Sequence, residues 1–208
     1  MVADQGHVSV VPVRFSFQDT VYMKKFPDIP GWMSEEDLVF LYNMAAAVPI
    51  NGCIVELGCW LGRSTCAIIQ GAATRDICVV DTWRGPDGPE IPYTERNAVR
   101  KIFISNMKNF AGFVPAIYDM DTRDAADRFA PASVDFLFID ADHSEESVYA
   151  DMITWLPKMK PEGVVAGHDW DRNSVRRAFS KIYSAVAQPS LTKGSIWYIN
   201  VKDFGRGS

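Results

Sequence analysis

The chain has 208 residues, 48% of them hydrophobic and 23% charged, which suits one well-buried core and is short for two domains. A formal net charge of −5 with no basic tail argues against a nucleic-acid partner, because a phosphate backbone calls for a basic face. No apolar run reaches transmembrane length, and residues 1–18 lack a basic region followed by an apolar core, so no membrane partner and no signal peptide are expected and the expected compartment is the cytoplasm.

In chain order, residues 1–33 read as an irregular N-terminal segment and 34–208 as a single domain. Residues 34–48 form a predicted helix with Ser34 as N-cap and Glu36 and Asp37 in the first turn, where the helix dipole favours acids. A predicted strand at 53–57 leads through two glycines into a helix at 63–73. A strand at 77–81 follows, then a proline-containing loop at 82–94, which should hang over the strand ends, and a helix at 95–109. Strands at 113–118, 134–139 and 163–167 alternate with helices at 123–129, 144–159 and 174–187. Short continuous apolar strands of this kind suit burial on both faces, and their alternation with helices predicts a wound parallel sheet. The end differs: 190–192 and 195–201 flank Lys193-Gly194 and read as an antiparallel hairpin at the sheet edge. Cys53, Cys59, Cys66 and Cys78 contain no C-x-x-C pair and read as small buried apolar residues.

The chemistry begins at the turn after the first strand. Gly58 and Gly62 let the backbone turn sharply near a ligand, and the following helix offers unpaired N–H groups. Trp60 stands where a dinucleotide fingerprint needs its second glycine, so that fingerprint is absent. Glu56 would repel a pyrophosphate and suit the ammonium of a methionine moiety. Asp81 ends the second strand, where a carboxylate can accept both ribose hydroxyls or simply cap a loop. Trp83 reads equally as a loop anchor or an adenosine neighbour. Further on, Asp140 and Asp142 follow an apolar strand and Asp169 ends the next one. If those strands are neighbours, roughly 4.8 Å apart, the carboxylates of Asp140 and Asp169 converge. A cation, a raised pKa or a basic neighbour would relieve their repulsion; alternatively each caps its following helix. His143 shares the Asp140–Asp142 turn and is the first candidate for a general base, with Asp142 the second.

Together, the run from Ile54 to Thr65, Val79-Val80-Asp81-Thr82-Trp83, Phe136 to Ser144, and Leu156-Pro157 through Gly163 to Trp170 resemble class I S-adenosylmethionine-dependent methyltransferases. Within that class the chain is similar to the small-molecule and sugar O-methyltransferases of antibiotic and glycan pathways, over roughly residues 34–201. The resemblance implies a Rossmann-like α/β fold: a mostly parallel seven-stranded sheet with a C-terminal antiparallel hairpin and helices on both faces. It implies S-adenosylmethionine held by Glu56, Gly58, Gly62, Ser64, Asp81, Thr82, Trp83, Asp121, Thr122 and Asp140. It also implies Mg²⁺ on Asp140 and Asp169, with His168 in the third ligand place. There the sequence departs from the Asp or Asn common in the family, and magnesium prefers oxygen. The implied partner is a small-molecule acceptor, a sugar, phenol or other hydroxylated metabolite, against whose ring Tyr93, Trp83 and Trp170 would pack; a homo-oligomer is compatible with this reading. Two rival readings are a non-catalytic S-adenosylmethionine-binding partner protein and an NAD-dependent oxidoreductase, which lacks its glycine pattern and a Tyr-Lys pair here.

Overall fold

Strands whose residues are apolar on both sides have no face to offer water, so they fill the middle of a sheet covered by helices. The computed structural model describes residues 26–73, 75–85, 93–182 and 189–204, and places five parallel strands together, with the strand Ala116–Tyr118 at the sheet edge. They are β1 (Cys53–Leu57), β2 (Asp76–Val80), β3 (Ala116–Tyr118), β4 (Val134–Ile139) and β5 (Met159–Gly167). With β6 (Ser190–Leu191) and β7 (Trp197–Asn200) they form a seven-stranded sheet in the order β3-β2-β1-β4-β5-β7-β6. The pairings among β1 to β5 are parallel, and β7 runs antiparallel to both its neighbours, β5 and β6. The helices are α1 (Glu35–Ala47), α2 (Arg63–Ala72), α3 (Tyr93–Asn106), α4 (Thr122–Ala126), α5 (Glu145–Trp155) and α6 (Asn173–Ile182). None of the helices among the described residues is long and apolar enough to cross a membrane.

The strand order reverses between β1 and β4, which opens a crevice at the carboxyl ends of the strands. Register makes that edge flush. Leu57 pairs with Val80 and with Ile139, and Ile139 pairs with Gly167. The residues that follow these strand ends, Gly58, Asp81, Asp140 and His168, therefore stand side by side.

Alternation along β1 divides the core. Val55 and Leu57 pack with Val80, Leu137, Trp155, Phe179 and Trp197 on one face of the sheet. Ile54 packs with Leu38, Leu41, Ile68, Phe136 and Phe138 on the other. A third cluster of Ile29, Cys59, Val79, Trp83, Phe103 and Met107 closes the side below α3. Residues 26–33 carry no helix or strand, yet Ile29 and Met33 are buried. Arg63 fixes them: its Nη1 donates to the Ile29 carbonyl at 2.9 Å and its Nε to the Met33 carbonyl at 3.0 Å.

Several predicted boundaries move for local reasons. β3 starts at Ala116 instead of 113, because Gly112 ends a π-helical turn with φ 67° and Pro115 has no N–H for a ladder. α3 likewise stops at Asn106, where that turn takes over. β5 starts at Met159 rather than 163, with a register shift against β4 between Val134 and Phe136. α5 ends at Trp155 in a 3₁₀ turn containing Pro157. The Ser34 cap is a capping box: Ser34 Oγ accepts from the Asp37 N–H at 3.2 Å and the Asp37 carboxylate accepts from the Ser34 N–H at 3.1 Å. Asp37 also accepts the Ser195 N–H at 3.1 Å, tying the β6–β7 loop to α1. Cys59, Cys66 and Cys78 are buried and Cys53 half-buried, all as free thiols. The predicted loop over 86–92 and the predicted helix beyond 182 lie outside the described residues.

Candidate active site

The turn between β1 and α2 is shaped by contacts only glycine permits. Gly58 has φ 82°, and a Cβ there would lie 2.2 Å from the Asp140 carbonyl oxygen. Gly62 has φ 91°, and its Cβ would lie 2.5 Å from Met107 Cε. Trp60 also takes a positive φ, 40°, which costs a non-glycine residue on the order of 1–3 kcal/mol. Asp81 offsets that strain. Its Oδ2 accepts the N–H groups of Cys59 and Trp60, both at 2.9 Å, and its Oδ1 accepts that of Trp83 at 2.6 Å.

Glu56 lies beneath this turn, fully buried on the α1–α2 side of β1, and accepts a 2.6 Å hydrogen bond from Thr65 Oγ1. Burial pushes its carboxyl up to about 8 against the lowering effect of the Ser64 and Thr65 hydroxyls, and the charges of Asp140 and Asp81 push the same way. Of the acids near the turn, Asp81 lines the cavity while Glu56 does not. A carboxylate there fits a cationic ligand and disfavours a pyrophosphate.

The second half of the site is an acid–imidazole cluster at the ends of β4 and β5. His143 Nε2 lies 2.7 Å from Asp169 Oδ2 and 3.7 Å from Asp140 Oδ1. His168 Nδ1 lies 3.5 Å from Asp169 and 3.6 Å from Asp140, while its Nε2 faces Asp37 at 3.7 Å. Burial opposes the charge on both imidazoles, but the carboxylates outweigh it, raising His143 to about 9 and His168 to about 10. Burial also raises Asp140, whereas Asp169, held by both histidines, falls well below the usual carboxylate range. For Asp37 the burial effect is overcome by His168 and Ser34, so its carboxyl is lowered. Asp169 takes φ 56°, which turns its side chain back toward His143.

Of the expected metal set, Asp140 and Asp169 lie together, and His168 Nδ1 is 3.6 and 3.5 Å from them. Asp140, His143 and Asp169 have ligand atoms within 4.8 Å of one another, and His168 is not part of that group. Magnesium asks for near-octahedral oxygen donors, whereas the third group here is an imidazole nitrogen. The residues do not fit Mg²⁺. Two imidazoles face the carboxylates instead.

One cavity of about 500 Å³ joins the two halves. Of the residues expected at a cofactor, Gly58, Ser64, Asp81, Thr82, Asp121, Thr122 and Asp140 line it; Glu56, Gly62 and Trp83 do not. Trp83 is buried against Phe103, and its Nε1 donates to the Trp60 carbonyl at 3.2 Å. Asp142, His143, His168 and Asp169 all line the cavity. Asp142 also accepts the Ser144 N–H at 2.6 Å, and Ser144 is the N-cap of α5. Asp121 is the N-cap of α4 and pairs with Arg123. Trp170 packs edge-on against Phe179, and the Tyr93 side chain lies outside the described residues.

Sequence reasoning gave no site role to Asp37, Ser147, Asp151 or the stacked pair Trp32 and Trp60, whose ring centroids are 4.6 Å apart and which line the cavity. Ser144, Ser147 and Asp151 stand three and four residues apart, a polar stripe on one face of α5 that could have been read.

Comparison with known proteins agrees with this architecture. The chain is 31% identical over 120 residues to an uncharacterized protein, y4gI, of Sinorhizobium fredii; that stretch is 56% of this chain and 13% of the relative, so the chain spans about an eighth of its length. An O-methyltransferase from Bacillus cereus, solved in complex with SAH, has a TM-score of 0.58 at 17% identity, covering 84% of each chain. CalS11, a calicheamicin methyltransferase, gives 0.58 at 17% identity over 78% of this chain and 76% of its own. The O-methyltransferase NovP gives 0.58 at 16% over 79% of each. These likenesses establish the Rossmann-like methyltransferase fold. A family model described as a methyltransferase domain matches residues 55–170, from the middle of β1 past Asp169, and by that match over more than half its length the chain belongs to the methyltransferase-domain family.

Proposed function

We propose that this protein is an S-adenosylmethionine-dependent O-methyltransferase acting on a hydroxyl group of a small molecule, a phenol or a sugar, with His143 as general base. The observation that carries this reading is a cavity lined both by Asp81 and the glycine turn and by His143, Asp142 and Asp169. When bound, the cofactor supplies a methyl group activated on a sulfonium. Asp81 and Ser64 hold its nucleoside and amino-acid parts, and the acids around the turn favour its positive charge. His143, tied through Nε2 to Asp169, accepts the hydroxyl proton, with Asp142 beside it as the second candidate. Residues 30–33, strapped down by Arg63, help exclude water from the cavity. CalS11 is by name a calicheamicin methyltransferase, which supports a small-molecule acceptor.

Calorimetric titration tests the cofactor. S-adenosylhomocysteine should bind and raise the melting temperature, by about 2.7 kcal/mol of stability at a hundredfold excess over Kd, while NAD leaves it unchanged. Stabilisation by NAD alone would replace this reading with an oxidoreductase. Transfer of a labelled methyl group to a panel of phenols and hydroxylated sugars then tests turnover, and binding without any transfer would favour a non-catalytic partner protein.

The same assay decides the metal. Because the acid–imidazole cluster carries its own positive charge, excess chelator should change the rate by less than about twofold. A rate abolished by chelator and restored by Mg²⁺ or Mn²⁺ would return Asp140 and Asp169 to the role of ligands.

A further inference from the structure

Trp83 and Trp170, expected against an acceptor ring, pack on Phe103 and Phe179 and do not line the cavity. Among the described residues, the tryptophan, tyrosine or phenylalanine side chains that do line it are Trp32 and Trp60. Trp32 is 72% exposed although it stacks on Trp60 with centroids 4.6 Å and planes 28° apart. One face of its indole meets Trp60, and the rest is open. A single exposed apolar residue is ordinary on a protein surface, so exposure alone says nothing. The chain around this one is pinned, however. Ile29 and Met33 on either side are buried, and Arg63 holds both of their carbonyls. Gly31 lies so close to Arg63 that a Cβ there would come 2.9 Å from its Cδ. Trp60, which supports the ring, is held as firmly: Asp81 accepts its N–H at 2.9 Å and Trp83 Nε1 donates to its carbonyl at 3.2 Å. Its backbone takes φ 40°, and strain kept in place by neighbours collects at ligand sites. An aromatic surface fixed in this way loses little freedom when a ring binds it.

Chain geometry ties this surface to the acid–imidazole cluster. A Cβ on Gly58 would meet the backbone of Asp140 and Ala141, and Trp60 and His143 each stand two residues beyond that contact, so both reach the cavity from adjoining turns. The segments that carry the tryptophans, 30–33 and 59–61, bring no hydroxyl, amide or charged side chain to the wall. A pyranose displays several hydroxyls that need partners when they leave water. A phenol has one, and its ring asks only for an apolar or aromatic face. We infer that Trp32 is the platform on which the acceptor ring stacks, and that the acceptor is a planar aromatic alcohol, a phenol, rather than a sugar. This rests on the O-methyltransferase reading and chooses its acceptor class. The phenolic hydroxyl is then directed to His143 while the ring extends the stack of Trp32 on Trp60.

Calorimetry with β-naphthol and methyl β-glucopyranoside as probes, on protein with and without saturating S-adenosylhomocysteine, tests the inference. β-Naphthol should bind the wild-type protein roughly tenfold or more tightly than the glucoside does. Trp32→Ala should weaken β-naphthol by roughly fivefold or more, the loss expected for an aromatic pair, and Trp32→Phe should recover most of it. Both variants should melt with the wild-type protein, since the side chain is largely exposed, and should bind S-adenosylhomocysteine within about twofold of it. Undiminished β-naphthol binding by Trp32→Ala overturns the inference, as does a glucoside that binds more tightly than β-naphthol, or a wild-type protein that binds no β-naphthol. An equal loss of S-adenosylhomocysteine affinity in Trp32→Ala gives the ring to the cofactor and overturns it too. Failure of S-adenosylhomocysteine to bind the wild-type protein is a separate result, which refutes the cofactor reading and the acceptor role of Trp32 with it.

Discussion

Replacing His143 with alanine should lower methyl transfer by about a hundredfold or more while leaving S-adenosylhomocysteine affinity nearly intact, because the imidazole is paired with Asp169 and Asp140 rather than with Asp81. The pH profile makes the expectation sharper. Only neutral imidazole can take a proton, and with a pKa of about 9 the wild-type rate should climb with pH until it levels near that value. Stability should move the other way. The folded pKa lies above the ordinary 6.5, so the stabilisation from the charged ring is fully present below 6.5 and is lost as pH rises through about 9. In His143→Ala the rising limb of the rate profile and this part of the pH dependence of melting should vanish together. A merely structural histidine would lower the melting temperature yet leave the folded fraction fully active. Undiminished turnover with the rising limb intact would move the base to Asp142.

The fate of individual residues shows which features a sequence can disclose. Asp140, His143 and Asp169 could be brought together on paper because continuous apolar strands imply parallel neighbours, and parallel neighbours bring their carboxyl ends to one edge. The division of labour between the histidines could not. It depends on Asp37, which caps α1, reaches the loop at Ser195 and faces His168, a contact 131 residues apart in the chain that no local pattern announces. The positive φ of Asp169 is likewise announced by no local pattern. Glu56 illustrates the period of two. An acid at the end of an apolar strand suggests a ligand contact, but alternation along β1 puts it on the same face as Ile54, under α2, where Thr65 receives it. Boundaries failed where backbone chemistry overrode apolar pattern, as at Pro115 and Pro157.

Asp81 is the residue whose loss should weaken cofactor binding most, and it should do so by two routes. A carboxylate offers about four lone-pair sites, and the N–H groups of Cys59, Trp60 and Trp83 occupy three of them. What is left faces the cavity, where a ribose hydroxyl can donate. Asp81→Ala should therefore remove a charge-assisted hydrogen bond to the ligand and also release the turn that holds Trp60 at positive φ. Together these should cost on the order of 2 to 4 kcal/mol of S-adenosylhomocysteine affinity, with a lower melting temperature for the ligand-free protein. Asp81→Asn separates the two routes. Its amide keeps one oxygen for the turn but replaces the other with a donor, so it should recover part of the melting temperature and little of the affinity. Calorimetry on both variants reads the outcome. If either binds S-adenosylhomocysteine as tightly as the wild-type protein while melting earlier, Asp81 shapes the glycine turn and the ribose is held elsewhere.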